Sequence, residues 1–327
     1  TLQRFDLREN TIGPLGAQYL ADTLRENTVL MILILRDNTI SDAGLEHLAS
    51  VLNTNKNLTT IDFTGNSQGD CAVIGIVNSI ATLDLRSNEI TENGAELLAK
   101  ILHRNETLTT LVMGKNKVGD NGAKYLVDAL HNNRVLNILD LSGKNIGFIG
   151  IAHLPLALCS DMKLIKFDLS SNEVGNEGLQ LLANTFKRTM SLQTLDLGIN
   201  NIGDGGAKCW ADLLKNQTKH QALDLRSNRI TDEGVKVLAI ALKRNTTLKQ
   251  ISLWQNEITN HDAQHLMDAL RDCHNYNLFV RADLEEQHRQ CFADHPDTQN
   301  TQSMSKEDFW LELYGLNELL LKDSYWS

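Results

Sequence analysis

The 327-residue chain has no apolar run long enough to cross a bilayer and no leader pattern at its start, so neither a membrane span nor secretion is expected. Its cysteines (Cys71, Cys159, Cys209, Cys273 and Cys291) are odd in number, scattered and without paired spacing. That argues against a disulfide framework and for a reducing compartment, the cytoplasm. Positive charge is also short: the net charge is −10 and the pI about 5.5. A nucleic-acid or anionic-membrane binder needs a basic face that this composition does not supply. Catalytic signatures are missing too. There is no glycine-rich phosphate loop, no Gly-x-Ser-x-Gly elbow and no His-Glu-x-x-His. His288, Cys291 and His295, with Cys273 and His274 upstream, match no closed zinc spacing. No enzyme, no metal and no cofactor is therefore expected.

What the chain does have is a repeat. Residues 223–245 read Leu-x-Leu-x-x-Asn-x-Ile, a glycine, then Leu-Ala-x-x-Leu-x-x-Asn. Units open at Leu2, Leu30, Leu58, Ile80, Leu108, Leu136, Leu164, Leu192, His220 and Leu248, with a degenerate eleventh at Tyr276. The spacing is 28 residues everywhere except after Leu58, where it is 22. A turn asparagine recurs at Asn10, Asn38, Asn66, Asn88, Asn116, Asn172, Asn200, Asn228 and Asn256; one unit breaks the series, with Lys144 in the slot and Asn145 beside it. A glycine opens the helical half at Gly16, Gly44, Gly94, Gly122, Gly150, Gly178, Gly206 and Gly234.

The pattern dictates a structure. In Leu195-Asp196-Leu197 alternation sends the leucines to one side of a strand and the aspartate to the other. An asparagine after the strand can bond turn backbone groups that would otherwise be left unpaired, so stacked copies form a ladder. Leu238, Ala239 and Leu242 share one face of a helix. Such a unit cannot bury its own leucines and must stack on copies of itself. Helices are wider than strands, so the stack bends. The expected fold is a right-handed α/β horseshoe with parallel strands on the concave face and helices on the convex face.

The 28-residue unit resembles the ribonuclease-inhibitor type of leucine-rich repeat, found in NOD-like receptors, tropomodulin-type actin regulators and Ran GTPase-activating proteins. The resemblance covers residues 1–275 as ten repeats, the third shortened; residues 276–327 are a degenerate repeat followed by a helical C-terminal cap or docking segment. It is specific for fold and says little about function. What it implies is a non-catalytic protein-interaction scaffold, the regulatory or sensing array of a larger protein. The alternatives are a GTPase-activating protein of the Ran-directed type and an actin-filament regulator of the tropomodulin type. Asn10-Thr-Ile-Gly-Pro14-Leu-Gly16 is similar to a turn of the former, but it occurs once and no long acidic tail follows, so no catalytic residue is carried over.

Some stretches depart from the repeat. The first unit begins uncapped at Thr1-Leu2, which fits an array continuing in a larger parent. The third lacks six residues, and Gly69 and Gly75 weaken what helix is left, so a loop or short turn is expected there. Pro155 should kink or delay the helix of the sixth unit. Asn57, Asn105, Asn216 and Asn245 match Asn-x-Ser/Thr, but that pattern is also the helix-to-strand junction of this repeat, which is the reading adopted. Near the end, Phe309, Trp310, Leu313, Tyr314, Leu316 and Leu320 form an apolar stripe at helical spacing, a cap for the solenoid or a docking helix.

The candidate site is the concave face. The residue between the strand leucines runs Asp6, Ile34, Asp62, Asp84, Val112, Asp140, Asp168, Asp196, Asp224 and Ser252. With strands about 4.8 Å apart, Asp140, Asp168, Asp196 and Asp224 stack as an acidic column whose neighbours repel by roughly 1 kcal/mol even in water. Two residues on, the column runs Arg8, Arg36, Thr64, Arg86, Gly114, Ser142, Ser170, Gly198, Arg226 and Trp254. The aspartates are expected to point to solvent and to meet a protein partner with a basic segment, with Arg226 and Trp254 as anchors. The oligomeric state is left open.

Overall fold

The computed structural model describes residues 2–52, 54–70, 80–143, 146–154, 163–187, 191–215, 220–259 and 278–281. Among the described residues, eleven three-residue strands lie in one sheet in sequence order, each parallel to the next. They are β1 (Arg4–Asp6), β2 (Ile32–Ile34), β3 (Thr60–Asp62), β4 (Thr82–Asp84), β5 (Thr110–Val112), β6 (Ile138–Asp140), β7 (Lys166–Asp168), β8 (Thr194–Asp196), β9 (Ala222–Asp224), β10 (Gln250–Ser252) and β11 (Phe279–Arg281). Among the described residues the connecting helices are α1 (Gly13–Glu26), α2 (Ser41–Leu52), α3 (Glu92–Leu102), α4 (Gly119–Leu130), α5 (Phe148–Ile151), α6 (Gly175–Phe186), α7 (Asp204–Leu214) and α8 (Asp232–Leu242). The result is the strand–turn–helix horseshoe that the spacing requires.

The core lies between the sheet and the helix row. Strand leucines such as Leu195, Leu197, Leu223 and Leu225 meet helix residues such as Leu182, Ala211, Leu238 and Leu242, all essentially inaccessible. Register is kept throughout: Asp140 pairs with Asp168, Asp168 with Asp196, and Asp196 with Asp224. The helix-opening glycine has a packing reason. A Cβ on Gly234 would stand 2.5 Å from Asp204 Oδ1 and 2.7 Å from Ile230 Cγ2, so only glycine lets neighbouring helices approach this closely.

The asparagine column is a set of bridges. Asn200 Nδ2 donates to Leu169 O of the preceding unit (2.8 Å) and to Gly198 O of its own turn (3.1 Å), while its Oδ1 accepts from Val174 N (3.1 Å). Asn38, Asn66, Asn88, Asn116, Asn172, Asn228 and Asn256 likewise donate to the preceding unit. Asn10 donates only within its own turn, to Leu7 O and Arg8 O.

Two further polar columns escaped the sequence reading. Asn55, Asn133 and Asn245 donate to Leu24 O, Leu102 O and Leu214 O at the end of the preceding unit's helix. Their Oδ1 atoms accept from the chain two and three residues on, as Asn245 does from Thr247 N and Leu248 N. Asn105 (8 % exposed) and Asn245 (1 %) are buried in this role, which is structural and leaves no acceptor for a glycan. The other column faces forward. Asp120 Oδ1 accepts from Gly147 N and Gly150 N, Asn176 Oδ1 from Gly203 N and Gly206 N, and Asp204 Oδ1 from Thr231 N and Gly234 N, each capping the helix start of the following unit. The signal was in the sequence: an aspartate or asparagine two residues before the helix glycine.

His220 stands where other units place leucine. It is 2 % exposed and packs on Phe186 and Trp210, with ring centroids 5.6 and 5.5 Å away. Burial pushes its pKa down to about 4, and the Leu192 backbone offsets this only in part. Unfolded, a histidine titrates near 6.5. The unfolded chain therefore takes up the proton first, and stability that is complete above pH 6.5 is lost as pH falls to 4. The loss is on the order of 3 kcal/mol. His220→Leu should remove it, giving a large gain in urea midpoint at pH 5 and a small one at pH 8. Equal gains at both would show that packing alone is at work.

The α5 helix is a single turn that stops at Ile151 and caps at Ala152, and Leu154 is helical again, so the sixth unit's helix is broken just ahead of Pro155, at the place where a kink or late start was expected. Pro155 itself lies outside the described residues, as do Lys144, Asn145, Asn216, the shortened helix region at 71–79, the histidine and cysteine positions from Cys273 to His295, and the stripe Phe309, Trp310, Leu313, Tyr314, Leu316 and Leu320.

Candidate functional site on the concave face

The aspartates do not point to solvent. Asp140, Asp168, Asp196 and Asp224 are 2, 3, 1 and 0 % exposed. The physical reason is local. Each side chain turns back on its own strand end, where one carboxylate oxygen accepts the N–H two residues on: Ser142 N at 2.8 Å, Ser170 N at 2.7 Å, Gly198 N at 2.9 Å and Arg226 N at 2.8 Å. The adjacent strands then close over both sides. The column is a structural seam lying just beneath the concave surface.

Burying like charges side by side has an electrostatic consequence. Burial, and then the neighbouring Asp168 charge, pushes Asp140 up to about 7. Burial and Asp84 push Asp62 up to about 6. Asp196 is raised well above the ordinary carboxylate range by burial and by Asp168 and Asp224. Asp224 is raised as well, since burial outweighs its contact with Arg226.

Three arginines of the covering position lie on this seam, while Arg36, whose unit carries Ile34, has its Nε on Asp37 Oδ2 at 2.9 Å. Arg8 lies over Asp6, with Nη2 to Oδ2 at 2.7 Å, and Arg86 lies over Asp84 with Nε to both carboxylate oxygens at 3.1 Å. Arg226 Nη1 meets Asp224 Oδ2 at 2.9 Å, and its Nη2 lies 3.8 Å from Asp196 Oδ2. In the units of Asp140 and Asp168 the covering position holds Ser142 and Ser170 instead. Trp254 is half-buried at the end of the same column, and Lys166, on β7, is also half-buried, its amine pushed down to about 8 by burial.

One residue of this face was not singled out in the sequence. Ile199 is 44 % exposed and its backbone sits at φ +57°. A β-branched residue in the left-handed region is strained, and strained positions gather at functional sites. The other units put Glu9, Asp37, Gly65, Ser87, Lys115, Gly143, Ser171, Ser227 and Gln255 in this slot. An isoleucine among polar residues and glycines was the available signal.

A family model described as "Leucine Rich repeat" matches residues 1–21, 26–49, 78–99, 104–127, 160–183, 190–209 and 221–239. The shortened third unit and most of the sixth fall in its gaps. No curated protein matches the chain in sequence. Among solved structures, the actin-binding site 2 of leiomodin-1 is similar at 19 % identity and a TM-score of 0.38, covering 45 % of this chain and 85 % of that one. The Rad7 and Elc1 complex in yeast is similar at 16 % identity and a TM-score of 0.48, covering 82 % of this chain and 77 % of that one. With seven matched segments falling in register on its strand–turn–helix units, the array is built of leucine-rich repeats.

Proposed function

We propose that the chain is a non-catalytic, cytoplasmic protein-interaction scaffold whose partner docks on the concave face across units six to ten. The observation that carries this reading is Ile199: a large apolar side chain, exposed and held in a strained backbone, in the unit next to Arg226 and two units before the half-buried Trp254, at the end of a covered acidic seam. Tryptophan and arginine are frequent anchors of protein interfaces, and a strained exposed residue is retained at a cost that binding can justify. The GTPase-activating and actin-regulating alternatives rest on resemblance alone.

Two measurements test it. A photo-crosslinking residue at position 199 should capture a protein from native extract, whereas one at Ile240 on α8, 60 % exposed, should not. Capture at 240 in place of 199 would move the interface to the helices. The second is Ile199→Asn, since asparagine tolerates positive φ. It should raise stability by about 1 kcal/mol through relief of backbone strain while weakening the captured partner's binding at least tenfold. Unchanged binding would make Ile199 a mere tolerated irregularity.

A further inference from the structure

This inference rests on the concave-face reading and concerns the chemistry of the partner. The fold shows three times how a guanidinium sits on its carboxylate seam, with Arg8, Arg86 and Arg226 over Asp6, Asp84 and Asp224. Arg226 also reaches toward the next carboxylate, Asp196, so one guanidinium serves two strands. Asp140 and Asp168 are the adjacent pair beyond it and are in the same register. Their own covering positions carry only a serine each.

Asp140 is 98 % removed from solvent, and its Oδ2 has no hydrogen-bond partner among the described residues. Ser142 Oγ and both Asp140 carboxylate oxygens lie within 3.3 Å of the point where a Cβ on Gly114 would stand, so all three border one spot from which Gly114 withholds a side chain. Ser142 is only half-buried. The Ser142 hydroxyl hydrogen-bonds the Asp140 carboxylate there, and a guanidinium entering from the concave surface takes its place. A buried carboxylate oxygen with no donor is costly, and a guanidinium offers the paired donors that satisfy it.

We propose that the protein partner inserts an arginine side chain here, its guanidinium bridging Asp140 and Asp168 as Arg226 bridges Asp224 and Asp196. Lysine is a poorer fit, because a single ammonium cannot present two parallel donors to two strands. Binding should tighten with pH as Asp140 gives up its proton. The charged groups facing Asp140 are Asp168 on β7, which holds the proton on, and Arg86, which favours its release. On the β5 side Val112 and Gly114 are uncharged.

The probe is N-acetylarginine amide, titrated into the whole chain and followed by NMR at the Ser142 and Ser170 amides, which donate to the two carboxylates. Saturable shifts are expected at pH 8, at least fivefold weaker at pH 6, at least fivefold weaker with N-acetyllysine amide, and absent with the uncharged citrulline analogue. Asp140→Asn should weaken them at least fivefold. Ser142→Arg, which supplies the guanidinium from within the chain as in three other units, should abolish them. Equal responses to arginine and citrulline, or an unchanged affinity in Asp140→Asn, would overturn the arginine site. If position 199 still captures a partner in that event, the arginine inference alone fails and the concave-face reading stands. Capture at position 240 would remove the concave-face reading itself.

Discussion

Replacing Asn200 with alanine should lower stability by about 3–5 kcal/mol. The substitution leaves Leu169 O without its 2.8 Å donor and Val174 N without its 3.1 Å acceptor, in two neighbouring turns of the array. Val174 is 1 % exposed, so its N–H cannot turn to water, whereas Leu169 O keeps the Asn172 Nδ2 donor at 3.0 Å. The orphaned Val174 N–H costs about 1–3 kcal/mol, and the lost bonds to Leu169 O and Gly198 O add about 1 kcal/mol each. Denaturant unfolding of the variant measures it. A loss below about 1 kcal/mol would mean that the turns are held by their backbone bonds alone. Asn10→Ala is the natural comparison: it bridges no preceding turn, and its loss should be far smaller.

The acidic seam should make the fold more stable in mild acid than in base. Asp140 titrates near 7 in the folded chain and near 3.8 when unfolded. Between those values the folded state holds a proton that the unfolded state has released. The stabilisation is complete at and below pH 3.8 and is lost as pH rises through 7. The full swing is on the order of 4 kcal/mol for Asp140 alone. Asp62, near 6, acts in the same direction. His220 acts oppositely below pH 6.5, so the trend is cleanest from pH 6.5 to 8, or across the whole range in His220→Leu. Asp140→Asn keeps an oxygen for Ser142 N but cannot ionise. It should raise stability at pH 8 by about 2–4 kcal/mol and flatten the profile. If the urea midpoint of the parent rises from pH 6.5 to 8, the seam is not under this strain.

The same burial changes what a charge reversal would report. Converting Asp168 and Asp196 to lysine would place two ammonium groups where strands pack on both sides, so a loss of binding there would reflect a loss of fold. Ser142, Ile199 and Trp254 are the positions at which binding can be probed with the fold intact.

Much of this architecture was legible because a repeat writes its own register. The column from Asn10 to Asn256 and the helix glycines from Gly16 to Gly234 appear as fixed letters at fixed spacing, and spacing is what a stacked array conserves in space. Exposure is not written that way. Alternation in Leu-Asp-Leu puts Asp196 on the face opposite the core, but strands about 4.8 Å apart on either side, and the Gly198 N–H ahead of it, decide that the carboxylate is covered. Asp204 was equally visible as a letter two places before Gly206. Its role depends on Thr231 and Gly234 in the next unit, and no single unit read alone shows that bond. Ile199 could have been found by comparing slots, since only the shared positive φ of that slot makes an isoleucine there unusual.

The polar bridges between units run in two directions, and this gives the chain an order of assembly. Asparagines such as Asn228 reach back to finish the turn of the unit before, through Leu197 O and Ile202 N. Carboxylates such as Asp204 reach ahead to the helix start of the unit after. During synthesis from the N-terminus, each new unit finds its helix start already provided for, while its turn must wait for the asparagine some 28 residues behind it on the ribosome. Folding then trails translation by about one unit.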